Sequence, residues 1–152
     1  CKKFSLITEA ELWIENKINS INQKGTVHVK WIKGATGSAK QQLFSEADIF
    51  IFPSQFPVEA QPLVLVEAMA SGCSIITSKV GEIPSTLGPS GAIYLTTVSP
   101  QNIADEVTKL IEMPELQNKL SKIGIERANT VYSKEQYIST WESIFKSLST
   151  TT

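Results

Sequence analysis

Two hydrophobic periods alternate along this chain, short runs that suit strands and stripes of period 3.6 that suit helices. Residues 49–52, Ile-Phe-Ile-Phe, follow Ala47-Asp48 and stop at Pro53, which reads as a central parallel strand covered on both faces. The segment 62–70 is apolar apart from Glu67, predicting a buried helix that starts at Pro62, a favourable first-turn residue, and ends at Gly72 as a left-handed cap. Residues 74–78 and 92–95 read as further strands, with a turn and short helix between them that opens at Gly81 and closes at Gly88-Pro89. Upstream, residues 4–7 are a strand candidate, and Thr8 and Glu11 have capping-box spacing before a helix with Leu12, Trp13, Ile14, Ile18 and Ile21 on one stripe and Gly25 as the stop. Trp13 is expected to anchor the core. Residues 27–32 alternate like a half-buried strand, with His28 on the polar side as an ordinary exposed residue, and residues 38–45 form a short helix after a plain turn.

The C-terminal third turns helical. Ser99-Pro100 is a cap and first-turn proline for a helix with Ile103, Val107, Leu110 and Ile111 on its stripe. Pro114 opens a second helix with Leu116, Leu120, Ile123 and Ile125 as core positions. Ser133 caps a third, with Tyr137, Ile138, Trp141, Ile144, Phe145 and Leu148 as its apolar side and residues 147–152 as a frayed tail. About five strands alternating with helices predict an α/β domain, doubly wound around a mostly parallel sheet with helices on both faces and a helical C-terminus.

Composition narrows this little. At 152 residues the chain fits one domain, and 41% hydrophobic and 19% charged residues are ordinary for a globular protein. A net charge of −1 without a Lys/Arg cluster argues against a nucleic-acid partner. No apolar run reaches the roughly 18 residues of a transmembrane helix. Lys2 and Lys3 lead to Glu9 and Glu11 rather than to an apolar stretch, so no signal peptide is expected. Cys1 and Cys73 have no metal-ligand spacing, no metal is expected, and a reducing, cytoplasmic compartment is the simplest reading. A chain that opens at Cys1 and runs straight into a strand pattern is expected to be a piece of a longer protein.

The chemistry concentrates between residues 53 and 72. In open α/β sheets ligands gather at the carboxyl ends of strands, and the loop carrying Glu59 leaves from such an end. A helix beginning at Pro62 offers the N–H groups of Leu63 and Val64 as unpaired donors at its positive end, suited to a phosphate. Glu67 lies four residues beyond Leu63, on the same face and one turn deeper. Carboxylates accept from two hydroxyls at once, as in ribose recognition. The same glutamate could instead pair with a lysine such as Lys79, and periodicity leaves both roles open.

The segment 47–54, then Glu59, then Glu67-Ala68-Met69-Ala70-Ser71-Gly72 and Val80-Gly81-Glu82-Ile83-Pro84 together closely resemble the family 4 (group 1) retaining nucleotide-sugar glycosyltransferases of the GT-B architecture. The resemblance extends to the region from Trp31 to Gly34, to Gly91-Ala92-Ile93 and to the helical tail, hence to nearly the whole chain. It implies the C-terminal, donor-binding, Rossmann-like half of such an enzyme, with no cofactor and with a UDP-, GDP- or ADP-sugar as donor substrate. Glu67 is then expected to hold the ribose hydroxyls, and Glu59 to contact the donor sugar near the reacting carbon. The main-chain N–H groups around Ala60, Gln61, Leu63 and Val64 are expected to reach the sugar and diphosphate, with Ile32, Lys33 and Gly34 beside the base. Fixed donors suit a leaving diphosphate on which negative charge grows.

Two departures matter. Pro62 stands where many members have glycine, which removes one N–H contact. The family's Arg and Lys clamp on the diphosphate lies upstream of residue 4, as does the domain that takes the glycan or lipid-linked acceptor. The chain is therefore expected to fold and bind nucleotide weakly but not to transfer a hexosyl unit alone. The resemblance also implies polysaccharide or glycolipid assembly, and peripheral association with the inner face of the membrane through the missing half. Rival classes fit less well. A receiver-like module wants an acidic cluster at a strand end, whereas Asp48 begins its strand; a dinucleotide oxidoreductase wants G-x-G-x-x-G, which is missing. A catalytically inactive glycosyltransferase-like module acting in binding or interaction is the alternative.

Overall fold

Three parallel strands carry the fold: β1 (Ile49–Phe52), β2 (Ser74–Ser78) and β3 (Ile93–Leu95), in the order β1-β2-β3. The computed structural model describes residues 6–149. Its contacts divide the chain into two compact units, Cys1–Ala39 and Lys40–Thr152. The sheet lies in the second unit. Ile51, Ile76 and Ile93 align across it, as do Phe52, Thr77 and Tyr94. Because side chains alternate along a strand, each strand feeds two cores. Phe50, Phe52, Ile75 and Tyr94 face a cluster with Leu65, Ala68, Met69, Ile83 and Leu87, whereas Ile49, Ile76, Ile93 and Leu95 face Leu110 and Leu120.

Helices cover both faces. On the first lie α2 (Gly37–Glu46), α3 (Leu63–Ala70) and α4 (Ile83–Leu87), and on the second α5 (Pro100–Glu112) and the start of α6 (Pro114–Val131). The helix α3 ends as its sequence predicts. Gly72, at φ +82°, donates to Met69 and Cys73 donates to Ala68, both at 3.0 Å, the pair of bonds that closes a helix on a left-handed glycine. Ser99 caps α5 by accepting from the Asn102 N–H at 3.1 Å. Arg127 of α6 donates to the carbonyls of Thr86 and Ser85 at 2.7 and 2.6 Å, satisfying the C-terminal end of α4.

Every residue of β2 is buried, although three of its five carry hydroxyls. Each hydroxyl finds a carbonyl, as burial requires: Ser74 donates to Gln117 at 3.0 Å, Thr77 to Phe52 at 2.6 Å, and Ser78 to Ser54. The last two bind the carboxyl end of β2 to that of β1. Cys73 is fully buried with its thiol on the carbonyls of Phe44 and Ala47, and burial, aided by Asp48, pushes that thiol up from its ordinary range.

Several expectations need correction. Among the described residues the sheet has three strands, not five, and β2 rather than β1 is central; Ile51 is 40% exposed. Residues 27–32 form no ladder, and the two bonds joining the Asn22 side chain to the Val29 main chain, at 2.7 and 2.9 Å, pin them instead. Of the strand expected at 4–7, Phe4 and Ser5 lie outside the described residues, and Ile7 already opens α1 (Ile7–Asn22). That helix begins before Thr8, so the expected capping box has no helix end to cap. No residue of α1 is buried, and Trp13 is 38% exposed rather than a core anchor. A segment of 39 residues encloses too little volume for a core of its own. His28 is exposed, as its place on the polar side predicts.

At the C-terminus α7 (Lys134–Ser149) is capped by Ser133, which accepts from the Gln136 N–H at 3.1 Å, but its apolar side is not buried. Residues 147–149 still belong to that helix, and the rest of the expected tail lies outside the described residues. In α6 the buried positions are Leu120, Gly124 and Ala128, while Ile125 is exposed, because small residues let the helix close on Met69. In α5 Leu110 is buried and Ile111 is 67% exposed.

Candidate functional site

The carboxyl ends of β1 and β2 open into the two loops that hold Glu59. Its main chain is fixed from both sides, since its N–H donates to Phe56 at 3.1 Å and its carbonyl accepts from the Glu82 N–H at 2.9 Å. Gly81, at φ +49°, lies flat against that peptide, and a Cβ there would stand 2.0 Å from the Glu59 oxygen. Only glycine tolerates both the conformation and the approach. The side chain is held as well: Ser54 Oγ donates to Glu59 Oε2 at 2.5 Å. Ser54 is itself placed by the Ser78 hydroxyl on its carbonyl. One carboxylate oxygen of Glu59 is thus anchored, and Oε1 has no partner among the described residues.

Pro62 is the extended residue before α3, not its first helical residue as expected, with φ −74° and ψ 108° and no side-chain cap. A proline ring cannot cap, and its ψ turns the chain into the helix. The Leu65 N–H is taken by the Pro62 carbonyl at 2.9 Å. The N–H groups of Leu63 and Val64 come before the first helical bond, at the positive end of α3. Ala60, Gln61 and Leu63 are exposed along this approach.

Glu67 sits one turn deeper, the only charge in α3. Its ion pair is with Lys40 of α2, Nζ to Oε1 at 2.7 Å, and not with Lys79, whose ammonium lies 5.5 Å from the Tyr94 ring. The Glu67 side chain as a whole is 42% exposed, yet its Oε2 is sealed from solvent and has no hydrogen-bond partner. Both readings of Glu67 thus have a structural counterpart, a lysine on one oxygen and a vacant acceptor on the other.

Glu59, Ala60, Gln61, Leu63, Val64 and Glu67 therefore occupy one loop and helix start at the sheet's carboxyl edge. Ile32, Lys33 and Gly34 belong to the other compact unit. There Lys33 Nζ lies 3.4 Å from both Glu11 and Glu15 and 4.4 Å from the centre of the Trp31 ring, and Gly34 has φ +68°. Three residues that hold the site were given no role in it from the sequence: Lys40, Ser54 and Gly81. Gly81 carried a signal, a glycine in the short loop between β2 and α4, whereas the partners of Ser54 and Lys40 are set by tertiary packing. Among the described residues no cluster of His, Cys, Asp and Glu could hold a metal ion, and no helix is long and apolar enough to cross a membrane.

The family model described as glycosyl transferases group 1 matches residues 13–127. Over 134 residues the chain is 30% identical to the MMP alpha-(1->4)-mannosyltransferase of Mycolicibacterium hassiacum, covering 86% of this chain and 29% of that protein. The fold matches Anabaena Alr3699/HepE in complex with UDP-glucose at a TM-score of 0.71 and 19% identity, over 92% of this chain and 37% of that one. It also matches the C-terminal domain of the glycosyl transferase group 1 family protein LpcC from Francisella tularensis, at a TM-score of 0.63 and 23% identity, over 83% and 64%. The chain thus spans less than two thirds of the length of each.

Proposed function

The chain belongs to the glycosyl transferases group 1 family and has the fold of a C-terminal GT-B domain, and from that premise we propose that it is the donor-binding half of a retaining glycosyltransferase. The full-length enzyme transfers a hexosyl unit from a nucleotide-diphosphate-sugar to a glycan or lipid-linked acceptor. The observation that carries this reading is the buried, unpartnered Oε2 of Glu67, one turn below the free N–H groups that open α3.

In this reading Glu67 Oε2 accepts from a ribose hydroxyl, while the Leu63 and Val64 N–H groups donate to the diphosphate or the sugar. Glu59, anchored by Ser54, presents Oε1 to the sugar hydroxyls beside the reacting carbon. As the bond from that carbon to the diphosphate oxygen breaks, negative charge grows on the leaving group, and the positive end of α3 opposes it without having to reorganise. The acceptor hydroxyl attacks from the face the diphosphate leaves and passes its proton to the departing phosphate oxygen. The configuration at the sugar is thereby kept with no protein nucleophile, and Glu59 is not assigned that role.

The UDP-glucose in the complex with Anabaena Alr3699/HepE supports a donor of this chemical class. The test is the anomeric configuration of the product that the full-length protein makes from α-linked UDP-, GDP- and ADP-hexoses, read by NMR. An α-linked product is expected, and a β-linked product would overturn retention. An inactive binding module draws on one observation, the structural partner that Lys40 gives Glu67. Nucleotide binding by the full-length protein with no turnover of any donor would favour it.

A further inference from the structure

We propose that Lys40 is a positioning residue for ribose recognition: its ammonium holds Glu67 by Oε1 and so keeps Oε2 available to the sugar hydroxyl. The inference rests on the donor-binding reading and goes beyond it, since Lys40 lies outside the loop and helix that carry the other ligand-facing groups. Two observations support it. The Lys40–Glu67 contact, at 2.7 Å, is made to one oxygen only. The second oxygen is buried without a partner, although an ionised carboxylate offers acceptor sites on both.

A lysine present only to neutralise a glutamate in an apolar helix does best when the remaining acceptor stays in water or finds a second donor. Here Oε2 has neither. Buried acceptors without partners are rare, and an explanation in terms of a ligand donor fits the place of Glu67 one turn below the helix start. Lys40 reaches Glu67 from a different element, α2, so the carboxylate is held from outside its own helix. Held at Oε1, Glu67 loses the rotations that would carry Oε2 off the hydroxyl. Such fixation by a charged partner is how a supporting residue orients a ligand-binding group.

The experiment measures the affinity of the full 152-residue chain for UDP, GDP and ADP and for their 2′,3′-dideoxy counterparts, using the wild type, Lys40→Gln and Lys40→Arg. The ratio of ribose to dideoxyribose affinity is read on the nucleotide that binds most tightly. About a tenfold or larger ratio is expected in the wild type, falling at least fivefold in Lys40→Gln and staying within about twofold of wild type in Lys40→Arg, which keeps the charge. In a Glu67→Gln background, adding Lys40→Gln is expected to change the ratio no further. The Lys40 side chain is 36% exposed, so these variants are expected to keep the wild-type melting temperature.

A ratio unchanged in Lys40→Gln overturns the inference while leaving ribose recognition by Glu67 intact. An equal loss for ribose and dideoxyribose forms overturns it too, because Lys40 would then act on the phosphates directly. If Lys40→Gln fails to fold, Lys40→Met, which also removes the charge, decides through the same fall in ratio, and a collapse of that ratio in a folded Lys40→Arg chain likewise contradicts a role carried by charge. A wild type that binds no nucleotide, or that does not distinguish ribose from dideoxyribose, overturns the donor-binding reading of Glu67 and this inference with it.

Discussion

A Gly81→Ala chain is expected to melt about 10 °C below wild type and to lose donor binding in the same step. The added Cβ would lie 2.0 Å from the Glu59 carbonyl oxygen and 2.8 Å from its carbon and nitrogen. These are main-chain atoms, so no change of rotamer relieves the clash. At φ +49° the residue also adopts a left-handed conformation that costs a non-glycine residue about 1–2 kcal/mol. Moving either strand of the contact stretches the 2.9 Å bond from the Glu82 N–H to Glu59 and displaces the loop that Ser54 holds. Together these amount to about 3–5 kcal/mol, at the upper end for a single substitution. Gly124→Ala is the control. Its Cβ would meet Met69 Cγ at an ordinary 3.5 Å, and in a helix the change is worth only about 0.5–1 kcal/mol, in its favour. Thermal unfolding followed by circular dichroism checks both; equal melting of Gly81→Ala and wild type would show that the two loops are not held against each other.

Glu59→Gln in the full-length enzyme is expected to lower kcat by about 10²–10³, the range for losing one preorganised polar contact at a reacting centre, while leaving nucleotide diphosphate affinity within about twofold. Glutamine keeps the shape and can still accept from Ser54, so the loop stays in place and only the carboxylate charge is removed. The split follows from position. Glu59 is held by loop contacts at the carboxyl ends of the strands, whereas the groups assigned to nucleotide and diphosphate belong to α3. Steady-state kinetics alongside a binding titration separate the two. An equal loss of affinity and kcat would move Glu59 from the sugar to the nucleotide.

The sequence disclosed those parts whose geometry is local. Gly72 had to end an apolar helix, and Ser99 and Ser133 had to start helices; each of these is decided within a few residues. Strand count was not local. Residues 27–32 have the alternation of a strand, but a ladder needs a neighbour, and the pairing of Asn22 with Val29 takes up the backbone there instead. The stripe of α1 has helical period and formed a helix, yet burial depends on what lies opposite, and Trp13 remained 38% exposed.

The site divided the same way. Glu59 and Glu67 stood out through the loop and helix around them, and their expected roles came from the resemblance to the family. The groups that hold them were not, because Ser54, Lys40 and Gly81 act through contacts made across the fold. Lys79 is closer to Glu67 in sequence than Lys40 is, but the structure gives it a ring to lie over and leaves the pairing to α2.

Donor recognition through Glu67 is tested most directly by titration calorimetry of UDP, GDP and ADP into the chain, repeated with Glu67→Ala. One nucleotide is expected to bind the wild type at least about tenfold more tightly than the variant, a difference of about 1.4 kcal/mol or more. Equal affinity in both chains, or no binding of any of the three to the wild type, would contradict it.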